Sequence, residues 1–245
     1  MRNKRSSKAV SEKKSKPLKA VKENRNNRFS EIYRKNIKPK TEGQQRFLDT
    51  VRNNWLTIGL GPAGTGKTLL AVSYAIERLL TGQCEKIILS RPIVPGGNEQ
   101  LGALPGSVFE KVEPYALSML SQISQIISQS DLTSFLNSKF IEVIPLAHIR
   151  GLNFIDSVVI CDEMQNANFE QIKMLLTRLG NNCKMILTGD CDQSDLQKRF
   201  RGALSAVYDN LNDEKDIGLI TMSESDIVRH ELVGRILKRL KNIEL

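Results

Sequence analysis

Short runs of apolar and β-branched residues recur along the chain from residue 55 onwards, and longer stretches separate them. Since these runs are apolar at consecutive positions, both faces of each predicted strand are expected to be buried, which is typical of a parallel sheet covered by helices. The predicted strands are residues 55–60, 86–90, 141–146, 157–161, 184–188 and 217–221. The pattern therefore predicts an α/β fold of three layers with a mostly parallel sheet.

Two stretches between these strands have apolar residues at helical spacing. The first covers residues 68–82 and ends on a glycine, which is a helix stop signal. The second, residues 117–129, is an amphipathic helix with a polar Ser/Gln face, inside a segment (107–140) that is too long for a simple crossover. This helix is expected to pack on the sheet, and the alternative is an inserted lid or a subunit contact.

Composition and charge divide the chain into two unequal parts. With 245 residues, 40% of them hydrophobic, it can bury one good-sized core, so residues 39–245 are predicted to form one ordered domain. The net charge of +9 is uneven: residues 1–40 carry 15 Lys and Arg against 3 acidic residues (+12), and the remainder carries 21 against 24 (−3). The basic character therefore belongs to the N-terminal segment alone.

Residues 1–38 are predicted to be a basic disordered tail, because their few large apolar residues cannot offset the entropy cost of ordering them. Two interpretations stay open. The tail is either a solvated arm that aids solubility or a salt-sensitive arm that binds the RNA or DNA backbone without reading its sequence. No window is long and apolar enough to predict a membrane span, and the four cysteines lack the CxxC spacing of a zinc site.

The stretch "GPAGTGKT" has phosphate-loop spacing, and it follows a predicted strand and opens a predicted helix. Glycines in such a loop let successive main-chain N–H groups point at phosphate oxygens, while the lysine reaches the β and γ phosphates and the threonine hydroxyl ligates Mg²⁺. The motif predicts these nucleotide-binding residues: Gly61, Pro62, Ala63, Gly64, Thr65, Gly66, Lys67 and Thr68. ATP and Mg²⁺ are therefore the expected ligands.

An acid pair in "VVICDEMQN" follows another predicted strand. Because ligands of parallel α/β sheets bind outside the carboxyl ends of the strands, Asp162 and Glu163 are expected beside the phosphate loop. Asp162 would hold Mg²⁺, and Glu163 would orient and deprotonate the attacking water. The alternative is an acidic strand end that caps the next helix. Adjacent acids favour hydrolysis over binding alone.

A third motif, "GDCDQ", follows the strand predicted at 184–188. Its glutamine, Gln193, could place an amide near the γ phosphate and sense whether that phosphate is present. Gly-Asp alone is typical of an ordinary turn. The motif indicates a nucleotide site only because it follows the phosphate loop and the acid pair in that order.

These motifs, together with "PLAHIRGLNFIDSVVICDEMQNANFEQIKMLLTRLG" and "DIVRHELV", resemble the PhoH family of cytosolic, phosphate-starvation-associated ATPases over roughly residues 39–236. That family is similar to the first motor domain of superfamily 1 helicases. The resemblance implies a RecA-like phosphate-loop NTPase core and a cytoplasmic location. The short form of the chain is compatible with a phage-encoded member.

The resemblance also implies roles for residues outside the three motifs. Gln44 matches the position of an adenine-reading glutamine, and Phe47 is a candidate base-stacking ring. Hydrolysis at such sites is accelerated by an arginine, often donated by a neighbouring subunit. Arg178 and Arg229 are preferred because they match family motifs, and surface ion pairing is the alternative for each. The other candidates are Arg91, Arg150 and Arg201.

Two functions follow as hypotheses. The first is an ATPase that couples hydrolysis to binding or remodelling RNA or single-stranded nucleic acid, with the basic tail as a tether. The second is a nucleotide-dependent switch or assembly factor that acts on a protein partner. Because a superfamily 1 motor closes two RecA-like domains and this chain has room for one, a homo-oligomer such as a ring is expected.

Overall fold

The computed structural model describes residues 29, 31–93, 117–196, 202–228 and 239. Within them, six strands form one sheet in the order β3-β2-β4-β5-β1-β6, and every neighbouring pair is parallel. The strands are β1 (Leu56–Leu60), β2 (Lys86–Ser90), β3 (Ile141–Val143), β4 (Ser157–Cys161), β5 (Lys184–Gly189) and β6 (Ile217–Thr221). The predicted parallel α/β fold is confirmed.

Helices cover both faces of this sheet. They are α1 (Glu42–Asn53), α2 (Lys67–Leu80), α3 (Gln129–Asn137), α4 (Phe169–Leu176) and α5 (Ala203–Asn210), and residues 117–123 are also helical. Alternate strand residues enter two separate cores: Ile87 and Leu89 of β2 pack with α1, α2 and α3, whereas Ile88 packs with α4 and α5. The result is the three-layer arrangement that runs of consecutive apolar residues predict.

Two predicted elements are shorter than expected. The strand predicted at 141–146 ends at Val143, and Pro145, which has no N–H for a strand ladder, precedes a single helical turn (Leu146–His148). The helix predicted at 117–129 breaks, because the Ser128 side chain accepts from Asp131 N and caps the start of α3. Its apolar residues other than the exposed Leu117 lie in the core shared with α1, α2 and α3, so packing on the sheet is confirmed.

The packed part of the chain begins before the boundary predicted after residue 38. Phe29 is buried and meets the rings of Phe135 and Phe140 edge-on, at centroid distances of 5.5 and 5.3 Å. Further along, Lys35 N donates to Ile126 O at 2.8 Å. Ile32 and Ile37 pack against the same core, but three apolar residues in a charged stretch are too few for a sustained hydrophobic periodicity, so the sequence pattern does not reveal this contact.

Lys184, the first residue of β5, ties the sheet to the end of α1. Its ammonium nitrogen donates to the main-chain oxygens of Val51 (3.0 Å), Arg52 (2.7 Å) and Asn54 (2.7 Å). It also lies 5.4 Å from the centre of the Trp55 ring. Burial lowers the pKa of Lys184 from 10.5 to about 8. The lysine thus supplies donors to carbonyl groups that have no partner within the helix.

Replacing Lys184 with methionine should lower the free energy of unfolding at pH 7 by about 1–3 kcal/mol, because buried carbonyl oxygens lose their donor. Between pH 8 and 10.5 the unfolded wild-type chain binds more protons at this lysine than the folded chain does. This group therefore makes wild-type stability rise with pH in that window, and the variant lacks the rise. Urea unfolding of both proteins at pH 7 and at about pH 9.5 measures the two effects.

Lys86→Met is the matched control, since Lys86 has a partly exposed ion pair with Glu142 (2.8 Å). Its free energy of unfolding should change by less than about 1 kcal/mol. Equal unfolding midpoints for Lys184→Met and the control at pH 7 would contradict a capping role for Lys184.

Candidate nucleotide-binding site

The phosphate-loop motif connects β1 to α2 at the carboxyl edge of the sheet. Gly61, Gly64 and Gly66 all have positive φ angles (138°, 88° and 86°), a region that favours glycine. A Cβ atom on Gly61 would also lie 2.4 Å from the main-chain oxygen of Met222. The glycines of the motif are therefore required by the shape of the loop.

The start of α2 has the properties of an anion site. Gly66 is its N-cap residue, and no side chain caps the first turn. Because the first turn has no side-chain cap, its N–H groups are presented to the pocket, and the 14-residue helix adds the positive end of its dipole. This end of the helix fits the phosphates of a nucleotide.

Lys67 is 8% exposed and its side chain lies along the loop. Its ammonium nitrogen donates to three oxygens: Gly61 O (2.6 Å), Pro62 O (2.9 Å) and Thr65 Oγ1 (3.1 Å). Burial lowers the pKa of Lys67, and three nearby carboxylates oppose that change: Asp190, Asp162 and Glu163. The lysine is therefore the cation at the centre of an acidic pocket.

Thr68 and Asp162 meet directly. Thr68 Oγ1 donates to Asp162 Oδ2 at 3.0 Å, which joins the phosphate loop to the end of β4. The other carboxylate oxygen accepts from Thr188 Oγ1 of β5 at 2.6 Å. A hydroxyl and a carboxylate at this separation are the hard oxygen donors that Mg²⁺ prefers, so both predicted metal ligands fit that ion. Thr188 was not predicted, and it holds the carboxylate in place.

Glu163 follows Asp162 in an unusual main-chain conformation, with φ 56° and ψ 36°. Left-handed backbone at a residue other than glycine is uncommon, and it is typical of functional sites. The carboxylate accepts from Gln165 Nε2 at 2.6 Å, and Arg91 Nη2 lies 3.6 Å from its other oxygen. The acid pair is thus brought to the phosphate loop, as the sequence predicted.

The third motif completes the pocket because β5 lies between β1 and β4. Asp190 Oδ2 accepts from Ala63 N of the phosphate loop at 3.0 Å, and Gln193 lies in the single turn that follows. The pocket has a volume of about 440 Å³. Its lining includes Gly64, Lys67, Thr68, Arg91, Asp162, Glu163, Asp190 and Gln193, together with Ser118 and Gln122 from the polar face of helix 117–123.

Gln44 and Phe47, both on α1, differ in how they relate to the loop. Gln44 is buried, its Nε2 donates to Thr65 O at 2.9 Å, and its Oε1 accepts from Lys40 N at 2.7 Å. Phe47 is fully buried, and a Cβ atom on Gly59 of β1 would lie 2.5 Å from its ring. The prediction that Phe47 stacks on a base is wrong, because its ring is part of the core.

Among the candidate arginines that the structure describes, Arg91 lies at the pocket, and Arg178, which family motifs favour, does not. Arg178 follows α4 near the amino ends of the strands, where it donates to Met174 O, Thr177 Oγ1 and Leu152 O. It is therefore not brought to the pocket of its own chain. Arg91, at the end of β2, is the described arginine that lines the pocket. Arg229 and Arg201 lie outside the described residues.

Comparison with known proteins accords with this geometry. The family model described as PhoH-like protein matches residues 36–241. The chain belongs to the PhoH-like protein family. A PhoH-like protein of Mycobacterium tuberculosis is 42% identical over 202 residues, 82% of this chain and 57% of the relative. One of Bacillus subtilis is 42% identical over 204 residues (83% and 64%), and protein PhoH of Escherichia coli K12 is 33% identical over 203 residues (82% and 57%).

The chain thus spans less than two thirds of the length of these curated PhoH-like relatives. Among solved structures, the large terminase from a thermophilic bacteriophage matches with a TM-score of 0.51 at 12% identity, over 83% of this chain and 50% of that one. The likeness shows a shared fold. This PhoH-like chain has a RecA-like phosphate-loop NTPase fold. None of its described helices has the length and apolar character needed to cross a membrane.

Sequence reasoning missed several residues that shape this PhoH-like site. Gln165 and Thr188 bond to the two acids. Asp226 accepts from Thr41 Oγ1 and Gly43 N, so it ties the start of α1 to a later segment. Gln165 stands inside the quoted acid motif, and its amide two residues after Glu163 was a usable signal. The other two contacts join distant segments, and no local pattern predicts them.

Proposed function

We propose that this PhoH-like chain binds ATP with Mg²⁺ and hydrolyses it to ADP and phosphate. The observation that carries the proposal is the 3.0 Å contact between Thr68 Oγ1 and Asp162 Oδ2. That contact brings the phosphate loop, the proposed metal ligands and Glu163 to one pocket at the carboxyl edge of the sheet, where ligands of parallel α/β proteins bind.

The charges of the pocket support a metal–nucleotide complex over a bare nucleotide. Among the residues that the structure describes, three carboxylates and two cations, Lys67 and Arg91, line it. A triphosphate would therefore meet excess negative charge unless a divalent cation came with it. Mg²⁺, when bound, would neutralise phosphate oxygens and orient the nucleotide.

Each proposed step uses a group of this chain. N–H groups of the loop and the Lys67 ammonium group bind the phosphate oxygens. Glu163 accepts the proton of the attacking water as that water bonds to the γ phosphorus and the bond to ADP breaks. Gln193 donates an amide hydrogen bond to the γ phosphate. Gln44, whose amide already anchors the loop through Thr65 O, is the proposed contact for adenine.

We also propose that hydrolysis is coupled to RNA or single-stranded nucleic acid. The supporting observation is the charge of residues 1–40, where 15 basic residues face 3 acidic ones. Such a segment binds phosphate backbones by releasing counterions, so the affinity should fall steeply with salt. The resemblance of the family to superfamily 1 helicase motors favours a single strand as the ligand.

The experiment is ATP turnover by the full chain with oligo-RNA, single-stranded DNA or duplex DNA, at about 50 and 200 mM salt. A matched full-length variant carries glutamine in place of the 11 Lys and Arg of residues 1–28; residues 29–38 are kept because Phe29 packs in the core. We expect single strands to stimulate turnover at low salt, and the variant to lose that stimulation. A rate of ATP turnover that none of these nucleic acids changes would favour the nucleotide-dependent switch.

A further inference from the structure

Gln165 lies in the single helical turn Met164–Asn166 that follows the acid pair, and it is 5% exposed. Both ends of its side-chain amide are engaged. Its Nε2 donates to Glu163 Oε2 at 2.6 Å, and its Oε1 accepts from Asp190 N at 3.0 Å. A buried amide with both partners satisfied is held in one orientation. Gln165 therefore joins the candidate base to the end of β5.

The same residue is the middle of a path that begins at the phosphate loop. Asp190, whose N–H is bound by Gln165, accepts from Ala63 N through its carboxylate at 3.0 Å. Ser194 Oγ donates to Gln165 O at 3.0 Å. A hydrogen-bonded path thus runs from the loop through Asp190 and Gln165 to the Glu163 carboxylate.

The neighbouring residue strengthens this attachment. Asn166 Nδ2 donates to Asp195 Oδ2 at 3.0 Å, and Asp195 N donates back to Asn166 Oδ1 at 2.8 Å. The turn that follows Glu163 is therefore fastened to the segment that carries Gln193. The two groups proposed to face the γ phosphate are held in one hydrogen-bonded unit.

Glu163 depends on this support. Its side chain is 38% exposed, and Arg91 Nη2 stays 3.6 Å from the second carboxylate oxygen. A carboxylate this accessible would otherwise sample several rotamers, and a displacement of about 1 Å from the productive position can cost roughly 100-fold in rate. At 2.6 Å, the bond from Gln165 is shorter than the contact with Arg91.

We propose that Gln165 is a positioning residue that holds the Glu163 carboxylate in place for water activation. The inference rests on the proposed ATP hydrolysis. A purely structural role is the competing explanation, because the same amide also supports the turn at Asp190. The two explanations can be tested independently, because the bond to Glu163 uses the Nε2 end of the amide and the bond from Asp190 N uses the Oε1 end.

Gln165→Glu tests the inference. When ionised, the new carboxylate can still accept from Asp190 N, but it cannot donate to Glu163, and it repels that carboxylate. If the two acids share a proton instead, Glu163 is no longer free to act as a base. We expect kcat to fall by about 10-fold or more and the dissociation constant for ATP to change by less than about 3-fold, while Tm falls because the new charge is buried beside Glu163 and Asp190. Fluorescence titration with a labelled ATP analogue and thermal unfolding supply the two readouts that do not depend on turnover.

Gln171→Glu is the matched control, because Gln171 Oε1 accepts from Asn168 N (2.9 Å) in the capping box of α4 and a glutamate keeps that bond. It adds the same charge outside the pocket and should leave kcat unchanged. Gln165→Met is a second variant without added charge. It should lose kcat as well, and its Tm should fall because the buried Asp190 N–H loses its acceptor.

A double-mutant cycle decides between the explanations. If Gln165 acts through Glu163, Gln165→Glu should reduce the residual rate of Glu163→Gln by less than about 2-fold. Full additivity, or wild-type kcat in Gln165→Glu alongside an inactive Glu163→Gln, would overturn the inference while the proposed hydrolysis stands. An inactive wild type, or Glu163→Gln at the wild-type rate, would instead overturn the proposed function and the inference with it.

Discussion

Replacing Glu163 with glutamine should lower kcat for ATP hydrolysis by about 10²–10⁴-fold, because an amide cannot accept the proton of the attacking water. The amide oxygen can still accept from Gln165 Nε2, and the side-chain shape is retained. Nucleotide binding should therefore persist, so the variant should hold ATP without turning it over. Phosphate release at saturating Mg²⁺–ATP, combined with nucleotide titration, measures both quantities.

Glu142→Gln is the control for this substitution. Glu142 lies on β3 and forms a partly exposed ion pair with Lys86 at 2.8 Å. The same chemical change there should leave kcat within about 2-fold of the wild type, since surface pairs contribute little. Wild-type turnover by Glu163→Gln would remove Glu163 from the role of general base.

Replacing Lys67 with alanine should weaken ATP binding by at least about 100-fold, because the charge-assisted hydrogen bonds that it removes are worth ~1.5–3 kcal/mol each and every 1.4 kcal/mol is tenfold in affinity. Turnover should be lost at the same time. The physical reason is the position of Lys67 as the buried cation of a pocket lined by three carboxylates. Isothermal titration calorimetry with Mg²⁺–ATP measures the change in the dissociation constant.

Lys86→Ala makes the same substitution outside the pocket, at the start of β2, and should bind ATP as the wild type does. Lys67 also donates to three oxygens of the phosphate loop, so its loss could destabilise the fold. Thermal unfolding of both variants measures that effect. Unchanged ATP affinity in a folded Lys67→Ala protein would show that the nucleotide binds elsewhere.

Phe29 and Phe47 illustrate what local patterns cannot decide. Phe29 lies within the segment predicted to be a basic disordered tail, and the family resemblance makes Phe47 a candidate base-stacking ring beside Gln44. In the structure both are core residues: Phe29 packs against Phe135 of α3 and against Phe140, and Phe47 packs against β1. Burial depends on which distant segment packs there, and hydrophobic periodicity does not contain that information.

The arginines and Gln165 show the same limit for polar residues. Family motifs favoured Arg178, yet it lies near the amino ends of the strands, whereas Arg91 reaches Glu163 from the end of β2. Gln165 was quoted within the acid motif, but its second partner, Asp190, is 25 residues further along the chain. Only the pairing of strands determines that these groups meet.

The sequence by itself determined the parallel α/β fold, the phosphate loop and the acid pair, because each depends on a local property. Consecutive apolar residues demand burial on both faces, and the spacing of glycines permits a loop with positive φ angles. The tertiary structure alone decided which side chains support that chemistry. The reason is the strand order: with β5 between β1 and β4, Thr188 and Asp190 are placed between the phosphate loop and the acids, and Gln165 is brought against both.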